Sequence, residues 1–484
     1  MARTARDWID LVLDGGWSEC DASLAAGDPI RFPGYDSRDA KRESVVTADG
    51  AVAGMPVVAI SFDFDTFGGS MGVVAGEKIA RAFERAIDRR AAVIALTASG
   101  GARMQEGMIA LSQMAKTIVA RRGLTGAGLP FVAYLRHPTT GGVYASFASL
   151  ADVLWAEPGA TVGFAGPRVA EQVAPLPQGS HTAEFSLANG LIDDIVPIEN
   201  LRNAFGVFLR ATMEPDAPSL PLEAVDAAAA SSAGAWDHVQ LARHEERPSG
   251  RAILAGISDA FVELRGDRAG VDDTGVACGV ARIGGRRCGV IALDRTRSTA
   301  PGYRKAYRLL RFAGALGVPL VTIVDTPGAD PSSDSEAQGI ARTIATAFRT
   351  ILEHPGPSLA VVTGEGGSGG ALSLAVADRV LICENAIFSV IAPEGAAAIL
   401  KRKDVEGVAQ DLRLTAKDLI ELGLADGVIA EPPGGAHTDP GLAIKLIGEA
   451  VGRALDDLSA EPQEGRLAAR RRRWRQAGNA FLVE

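Results

Sequence analysis

Cysteine is scarce in this chain: Cys20, Cys278, Cys288 and Cys383 are the only four in 484 residues, and no two form a C-x-x-C pair. Such spacing indicates neither a zinc site nor a disulfide framework, and buried reduced thiols account for all four. No apolar run approaches membrane-spanning length, and the first residues, with Asp7, Asp10 and Asp14, lack the basic-then-apolar order of a secretory signal. A cytoplasmic protein with no membrane association is expected. Cationic excess is missing too. A formal charge of -10 argues against a general nucleic-acid binder, because neutralising phosphates takes clustered Lys and Arg. One local exception is Arg466 to Arg475, a basic stretch that reads as a solvated terminal helix. No G-x-x-x-x-G-K-[ST] occurs, so ATP binding is unsupported. Of six histidines none sits in a motif with a nucleophile or metal partner; His137 stands out only because it precedes a glycine turn.

Aromatics make up only 5%, whereas glycines number 56, which favours close backbone packing over aromatic clusters. Those glycines are arranged in a repeat. Gly141-Gly142 precedes the strand-like Val153-Leu154-Trp155-Ala156-Glu157, and Gly369-Gly370 precedes Val380-Leu381-Ile382-Cys383-Glu384. Thr182 to Gly190 then matches Thr415 to Gly423, at nearly the same offset along the chain. A duplicated domain carrying a duplicated glycine turn implies two related sites serving one reaction.

Around these turns, apolar strand-like runs alternate with helical patterns: Val57–Phe62, a helix from about Val74 to Arg89, Ala92–Leu96; then Val276–Ile283, Cys288–Leu293, a helix from about Tyr303 to Leu316, Leu320–Val324. The architecture is α/β, in two tandem domains. Residues 1–213 form the first, with 1–50 as a turn-rich N-terminal extension wrapped on it. Residues 214–250, bearing Pro215, Pro218, Pro221 and Ala227–Ala230, read as a linker, and 251–484 form the second domain.

In each half a strand runs into a glycine-rich turn that opens a helix: Phe131–Leu135 into Pro138-Thr139-Thr140-Gly141-Gly142, and Leu359–Val362 into Gly364 to Gly370. Glycine lets backbone approach a ligand, and a helix start leaves N–H groups unpaired, so such a turn can hold an oxyanion. A close-packed helix start with no ligand is the alternative. The second copy also satisfies G-x-G-x-x-G from Gly364, and Glu384 ends a later strand where a dinucleotide fold would place its ribose acid. Glu157 holds the same strand end in the first half, where no fingerprint exists, so the acid belongs to the repeat.

Ser99-Gly100-Gly101-Ala102-Arg103-Met104-Gln105-Glu106-Gly107, Pro138 to Val143 and Val162 to Arg168 resemble the β subunit of bacterial acetyl-CoA carboxylase carboxyltransferase. The second half is similar to the α subunit at Phe261–Leu264, Gly266–Arg268, Gly302–Ala306, Asp325-Thr326-Pro327-Gly328-Ala329, Gly364–Ala371 and Ser389–Gly395. The resemblance covers about 50–205 and 235–475. It implies two crotonase-like (ClpP/crotonase) ββα-superhelix domains fused β then α. The implied activity is transfer of a carboxyl group from carboxybiotin to the α-carbon of acetyl-CoA or another short acyl-CoA.

The resemblance further implies two oxyanion turns: Gly141 and Gly142 for the acyl-CoA thioester, Gly369 and Gly370 for the biotin ureido oxygen. Arg103 and Arg168, beside glycine turns, are candidates for the CoA phosphates, each with a carboxylate pair as its other reading. Gly100, Gly101, Gly328 and Ala329 are assigned to ligand binding beside them. Biotin, on a separate biotin carboxyl carrier protein loaded by a biotin carboxylase, is the implied cofactor. A homodimer or higher oligomer, with each active site between domains of two protomers, is the implied assembly. The chain departs from the family pattern at three places, one of them the stretch from Asp294 to Ala300, which is shorter than its counterpart. Cys20 alone precedes the first domain, so the zinc ribbon usual in the β subunit is missing and no metal is expected; and Asp330 to Glu336 replaces a stretch that commonly carries a tyrosine and a Glu-Arg pair. A decarboxylase of malonyl-type thioesters and a non-catalytic carboxylase-complex paralogue are the competing functions.

Overall fold

The computed structural model of the chain describes residues 3–25, 27, 30–35, 43–217 and 233–482. They divide into two compact units, Met1–Glu214 with Arg268–Val271, and Pro215–Asp267 with Asp272–Glu484. Of the stretch expected to be a linker, residues 218–232 lie outside the described residues, while Ala235–Ala242 and Gly250–Ile257 are helices of the second unit. The first of these packs Ala235, Val239 and Ala242 on Ile387, Ala409 and Leu414.

The first unit is one sheet with the order β1 (Ser18–Cys20), β2 (Val45–Val52), β3 (Met55–Phe62), β4 (Ala92–Ser99), β5 (Phe131–Thr140), β6 (Val153–Ala156) and β8 (Asp194–Ile195), with the short β7 (Val162–Gly163) pairing on the end of β5. β1 and β2 pair antiparallel, as do β2 and β3, and the rest is parallel. Parallel strands are covered on both faces, so they read as continuous apolar runs, and all eight residues of β4 are buried. Val73–Arg89 crosses from β3 to β4 with Ala75, Ile79, Ala82, Phe83 and Ala86 turned to the core, a helical repeat of apolar positions. Phe83 meets Phe131 edge-on at 5.2 Å in a cluster with Phe62 and Phe147. The N-terminal extension is a correction: Val45–Val52 is an integral strand, β1 pairs on it, and Ala5–Val12 buries Trp8 and Ile9.

The second unit repeats this sheet strand for strand: β9 (Ser258–Glu263), β10 (Val276–Ile283), β11 (Arg286–Leu293), β12 (Leu320–Thr326), β13 (Ser358–Gly367), β14 (Arg379–Cys383), β15 (Ile387–Ser389) and β16 (Gly427–Ile429), with β15 on the end of β13. The crossing helix Ala300–Leu316 is the counterpart of Val73–Arg89, and the two have equal length. Its start is capped by Thr299, whose Oγ1 accepts from Gly302 N, with Pro301 in the first turn; Gly317 ends it at φ 67°.

The strand bases that carry the glycine turns are tied down by similar devices. The Phe131 N–H donates to Asp152 Oδ2 at 2.8 Å, and Arg121 Nη2 meets Asp152 Oδ1 at 2.7 Å. In the second unit Ser358 N donates to Asp378 Oδ2 at 2.8 Å, and Arg470 grips both Asp378 oxygens at 2.7 and 2.6 Å. Arg470 also donates to the carbonyls of Ile351, His354 and Gly356. It belongs to the helix Gln463–Gln476, whose basic residues are thus partly buried: Arg466 donates to Pro355 O, Arg473 meets Asp426, and Arg471, Arg472 and Arg475 face solvent.

Candidate functional site

In the first unit β4 ends at Ser99 and the chain turns through Gly100-Gly101-Ala102. Met71 N donates to Gly101 O at 2.8 Å and Arg103 N to Met71 O at 3.0 Å, a parallel bridge that uses the groups on either side of Ala102 and leaves its own N–H aimed the other way. Gly101 sits at φ +120°; a Cβ there would lie 3.1 Å from Gly142 N, so only glycine allows the two turns to touch. β5 then runs to Thr140, and Gly141 takes φ +62° to open the short helix Gly141–Tyr144. Its N–H donates to Phe164 O at 2.9 Å and is thereby used. Gly142, next in that first turn, has no carbonyl within the helix to donate to. A Cβ built on it would lie 3.4 Å from Ala102 N and 3.2 Å from Met114 Sδ. The N–H groups of Ala102 and Gly142 therefore form a neighbouring pair.

The second unit builds the same object. Ser298 N donates to Gly328 O at 3.2 Å and Asp330 N to Ser298 O at 2.9 Å, again stepping past one residue, Ala329. Gly328 N caps Thr326 Oγ1 at 3.1 Å, as Gly101 N caps Ser99 Oγ at 3.0 Å. Gly328 sits at φ +126°, against the carbonyl of Gly367. Positive φ falls on Ser368, at 58°, which opens Ser368–Leu372. The landmarks of the two units keep one constant offset: Met71 answers to Ser298, Ala102 to Ala329, Phe131 to Ser358 and Gly141 to Ser368. Gly142 thus corresponds to Gly369, and Gly370 to Val143. Pairing Gly141-Gly142 with Gly369-Gly370, as the sequence invites, is off by one residue. A Cβ on Gly369 meets nothing within 4 Å, whereas one on Gly370 would lie 2.5 Å from Ala329 N and 2.8 Å from the Tyr303 hydroxyl.

Arg103 takes its carboxylate reading. Its side chain is 1% exposed, bonded to Glu43, at 3.2 Å from Glu106, donating to Ser70 O at 2.9 Å and lying over the Phe67 ring at 4.6 Å. Burial disfavours its charge, but hydrogen bonds to Glu43 outweigh this and leave its pKa raised. Enclosed in this way, it presents nothing to a phosphate, a correction to the expected CoA role. Tyr35 closes the cluster through Glu106 at 2.7 Å, its hydroxyl pushed up to about 12 by burial and by that carboxylate. Arg168 lies in the helix Pro167–Ala170, and its side chain is outside the described residues. His137 Nδ1 accepts from Thr161 N at 3.2 Å, a hydrogen bond between the end of β5 and the residue before β7.

Of the fingerprint glycines, Gly364 and Gly366 lie within β13 itself and Gly369 in the helix Ser368–Leu372 that follows it directly, so no phosphate loop separates strand from helix there. Gly364 packs on Asp325: a Cβ would fall 2.4 Å from its Oδ1. Burial pushes the Asp325 carboxyl up to about 6, against the Glu365 N–H at 3.0 Å and Arg295 Nε at 3.3 Å. Sequence reasoning missed Ala102, Met114, Tyr303 and Arg297, whose exposed guanidinium donates to Ala329 O at 3.3 Å. Ala102 was within reach, as the first-half counterpart of Ala329 in the repeat. Among the described residues no group of three or more His, Cys, Asp or Glu is arranged to hold a metal ion, and no helix is long and apolar enough to cross a membrane.

Two family models match: the carboxyl transferase domain over residues 2–186 and the acetyl co-enzyme A carboxylase carboxyltransferase-like family over 221–478. The chain belongs to the acetyl-CoA carboxylase carboxyltransferases, its β and α parts fused. The acetyl-coenzyme A carboxylase carboxyl transferase subunits beta/alpha of Salinispora tropica are 44% identical over 480 residues, covering 94% of this carboxyltransferase and 85% of that protein. Those of Salinispora arenicola are 45% identical over the same shares. A solved structure of transcarboxylase 12S, a hexamer with methylmalonyl-coenzyme A and methylmalonic acid bound, superposes with a TM-score of 0.78 at 23% identity, covering 95% and 91% of the two chains. Both units of the carboxyltransferase have the crotonase-type fold.

Proposed function

We propose that this enzyme moves a carboxyl group from carboxybiotin, borne by a separate biotin carboxyl carrier protein that a biotin carboxylase loads, to the α-carbon of acetyl-CoA or another short acyl-CoA. With acetyl-CoA the product is malonyl-CoA, the precursor used in fatty acid biosynthesis. The observation that carries this reading is the N–H pair of Ala102 and Gly142, together with the turn that repeats it at a constant offset, where Ala329 and Gly369 hold the corresponding places. Carboxyl transfer to a thioester develops negative charge on two oxygens, and two such turns match that demand. Ala102 and Gly142 would hold the thioester oxygen and stabilise it as the α-proton leaves. Backbone donors fixed in place reorganise little during reaction, and one such donor is worth about 3 to 4 kcal/mol of barrier. Ala329 and Gly369 would hold the ureido oxygen. The open space beside Gly369 and the exposed Arg297 fit a bulky, electron-rich ring there. When bound, carboxybiotin supplies the carboxyl group and, having given it up, the base for the α-proton. No histidine or cysteine is assigned a catalytic role.

The proposal includes self-association to at least a homodimer, since Met104, Met108, Ile109 and Leu111 leave apolar surface on the first unit that a second copy could cover. A cytoplasmic location is in keeping with four free thiols. The test is the reverse reaction: purified chain with malonyl-CoA, with and without biocytin, following acetyl-CoA. Biocytin-dependent turnover is expected. Turnover equal without biocytin would make the enzyme a decarboxylase, and no turnover with any malonyl-type thioester would favour a non-catalytic subunit.

A further inference from the structure

The two turns share a backbone but differ in what stands beside it. In the first, the point where a Gly142 Cβ would be lies 3.2 Å from Met114 Sδ, 3.5 Å from Met114 Cγ and 3.4 Å from Ala102 N. The thioether therefore presses on the same backbone that carries the N–H pair. In the second, the corresponding point on Gly369 has no atom within 4 Å. The cause is legible in register: at the constant offset between the units Met114 answers to Ala341, on Ile340–Leu352, the counterpart of the Met114 helix Gly107–Gly126. Met114 is half-buried and packs against the core cluster of the first unit, so its stem is anchored.

We propose that Met114 sets the acyl-chain specificity of the first turn, favouring an acetyl group over longer acyl groups. The inference rests on the assignment of the thioester to that turn. An oxygen held between Ala102 and Gly142 places the acyl carbons next to the Met114 side chain. Each added methylene must push the thioether aside. Methionine is unbranched and turns about three bonds, so it yields in steps, which makes selectivity graded. A pocket of this kind discriminates single methylenes by about 10-fold or somewhat more. The second turn, with alanine in that place, remains wide enough for a ring.

The test uses the full chain and three variants: Met114→Ala and Met114→Val, which shorten the side chain, and Met114→Leu, which keeps its bulk. Biocytin-dependent turnover of malonyl-, methylmalonyl- and ethylmalonyl-CoA is measured for each, together with calorimetric binding of acetyl-, propionyl- and butyryl-CoA. Shortening is expected to raise the ethylmalonyl to malonyl ratio of kcat/KM by about 10-fold or more, with Met114→Leu near wild type. A ratio within twofold of wild type in an active Ala or Val variant overturns the proposal while leaving the proposed function standing. If the wild-type chain turns over none of these thioesters, the proposed function fails and binding decides. A shift of butyryl-CoA against acetyl-CoA affinity by about 10-fold on shortening then supports the role of Met114, and an unchanged ratio overturns it.

Discussion

Beside the first turn stand Met71, Val143 and Met114, and at the same places the second has Ser298, Gly370 and Ala341; Tyr303, whose hydroxyl reaches the second turn, answers to Gly76. Backbone geometry at the two is nearly the same, down to φ +120° and +126° at Gly101 and Gly328 and 62° and 58° at Gly141 and Ser368. The difference teaches how a duplicated domain divides labour. On the proposed assignment, charge stabilisation is written in backbone, which the repeat copies nearly without change, while side chains select the occupant. Apolar, narrow lining suits a thin acyl group; hydroxyls and open space suit a polar ring. Tyr303 and Ser298 are almost wholly buried, and the Tyr303 hydroxyl lies beside those of Ser298 and Ser373 without forming a well-shaped hydrogen bond among the described residues.

The strongest way to break the comparison is Gly370→Val, which writes the first-unit residue into the second turn. Its Cβ would sit 2.5 Å from Ala329 N, so the N–H pair must part. Biocytin-dependent turnover should fall at least about 100-fold; near-normal rates would show the two linings to be interchangeable. Next in size is Arg103→Met, which leaves Glu43 and Glu106 buried without their cation. Chemical denaturation should show the first unit losing about 3 to 5 kcal/mol. A smaller effect separates the units by pH. Asp325 stands where the first unit has Ala98. Its carboxyl is raised by burial to about 6, from 3.8, so its stabilising protonation is complete below about pH 4 and lost as pH rises through about 6. Asp325→Asn should gain on wild type over that window, by roughly 2 to 3 kcal/mol at pH 7, in melting followed against pH. Smallest is Tyr303→Phe: without a well-formed bond to lose, stability should stay within about 0.5 kcal/mol, and any change should appear in the KM for biocytin rather than for malonyl-CoA.

The repeat, the sheet strands and the glycine turns were legible because buried parallel strands and backbone turns leave marks in residue type. What was not legible depends on geometry without such a mark. Ser368 carries the left-handed φ that glycine carries at 141, so two neighbouring Gly-Gly pairs looked equivalent when they differ by one step. The Arg103 partner Glu43 lies 60 residues upstream in a segment whose polar residues suggested a wrap, although Val45–Val52 within it closes the sheet. The basic C-terminal tract looked solvated because its acceptors, Asp378 and three carbonyls, lie far upstream of it, before and at the start of β14.

That last separation bears on the order in which the protein is made. The base of β5 is tied through Asp152 to Arg121, an arginine already synthesised when Asp152 emerges. The base of β13 waits on Arg470, 92 residues after Asp378. During translation the first unit can therefore complete the lock beneath its turn early, while in the second Asp378 holds Ser358 but lacks its arginine until the helix Gln463–Gln476 has left the ribosome.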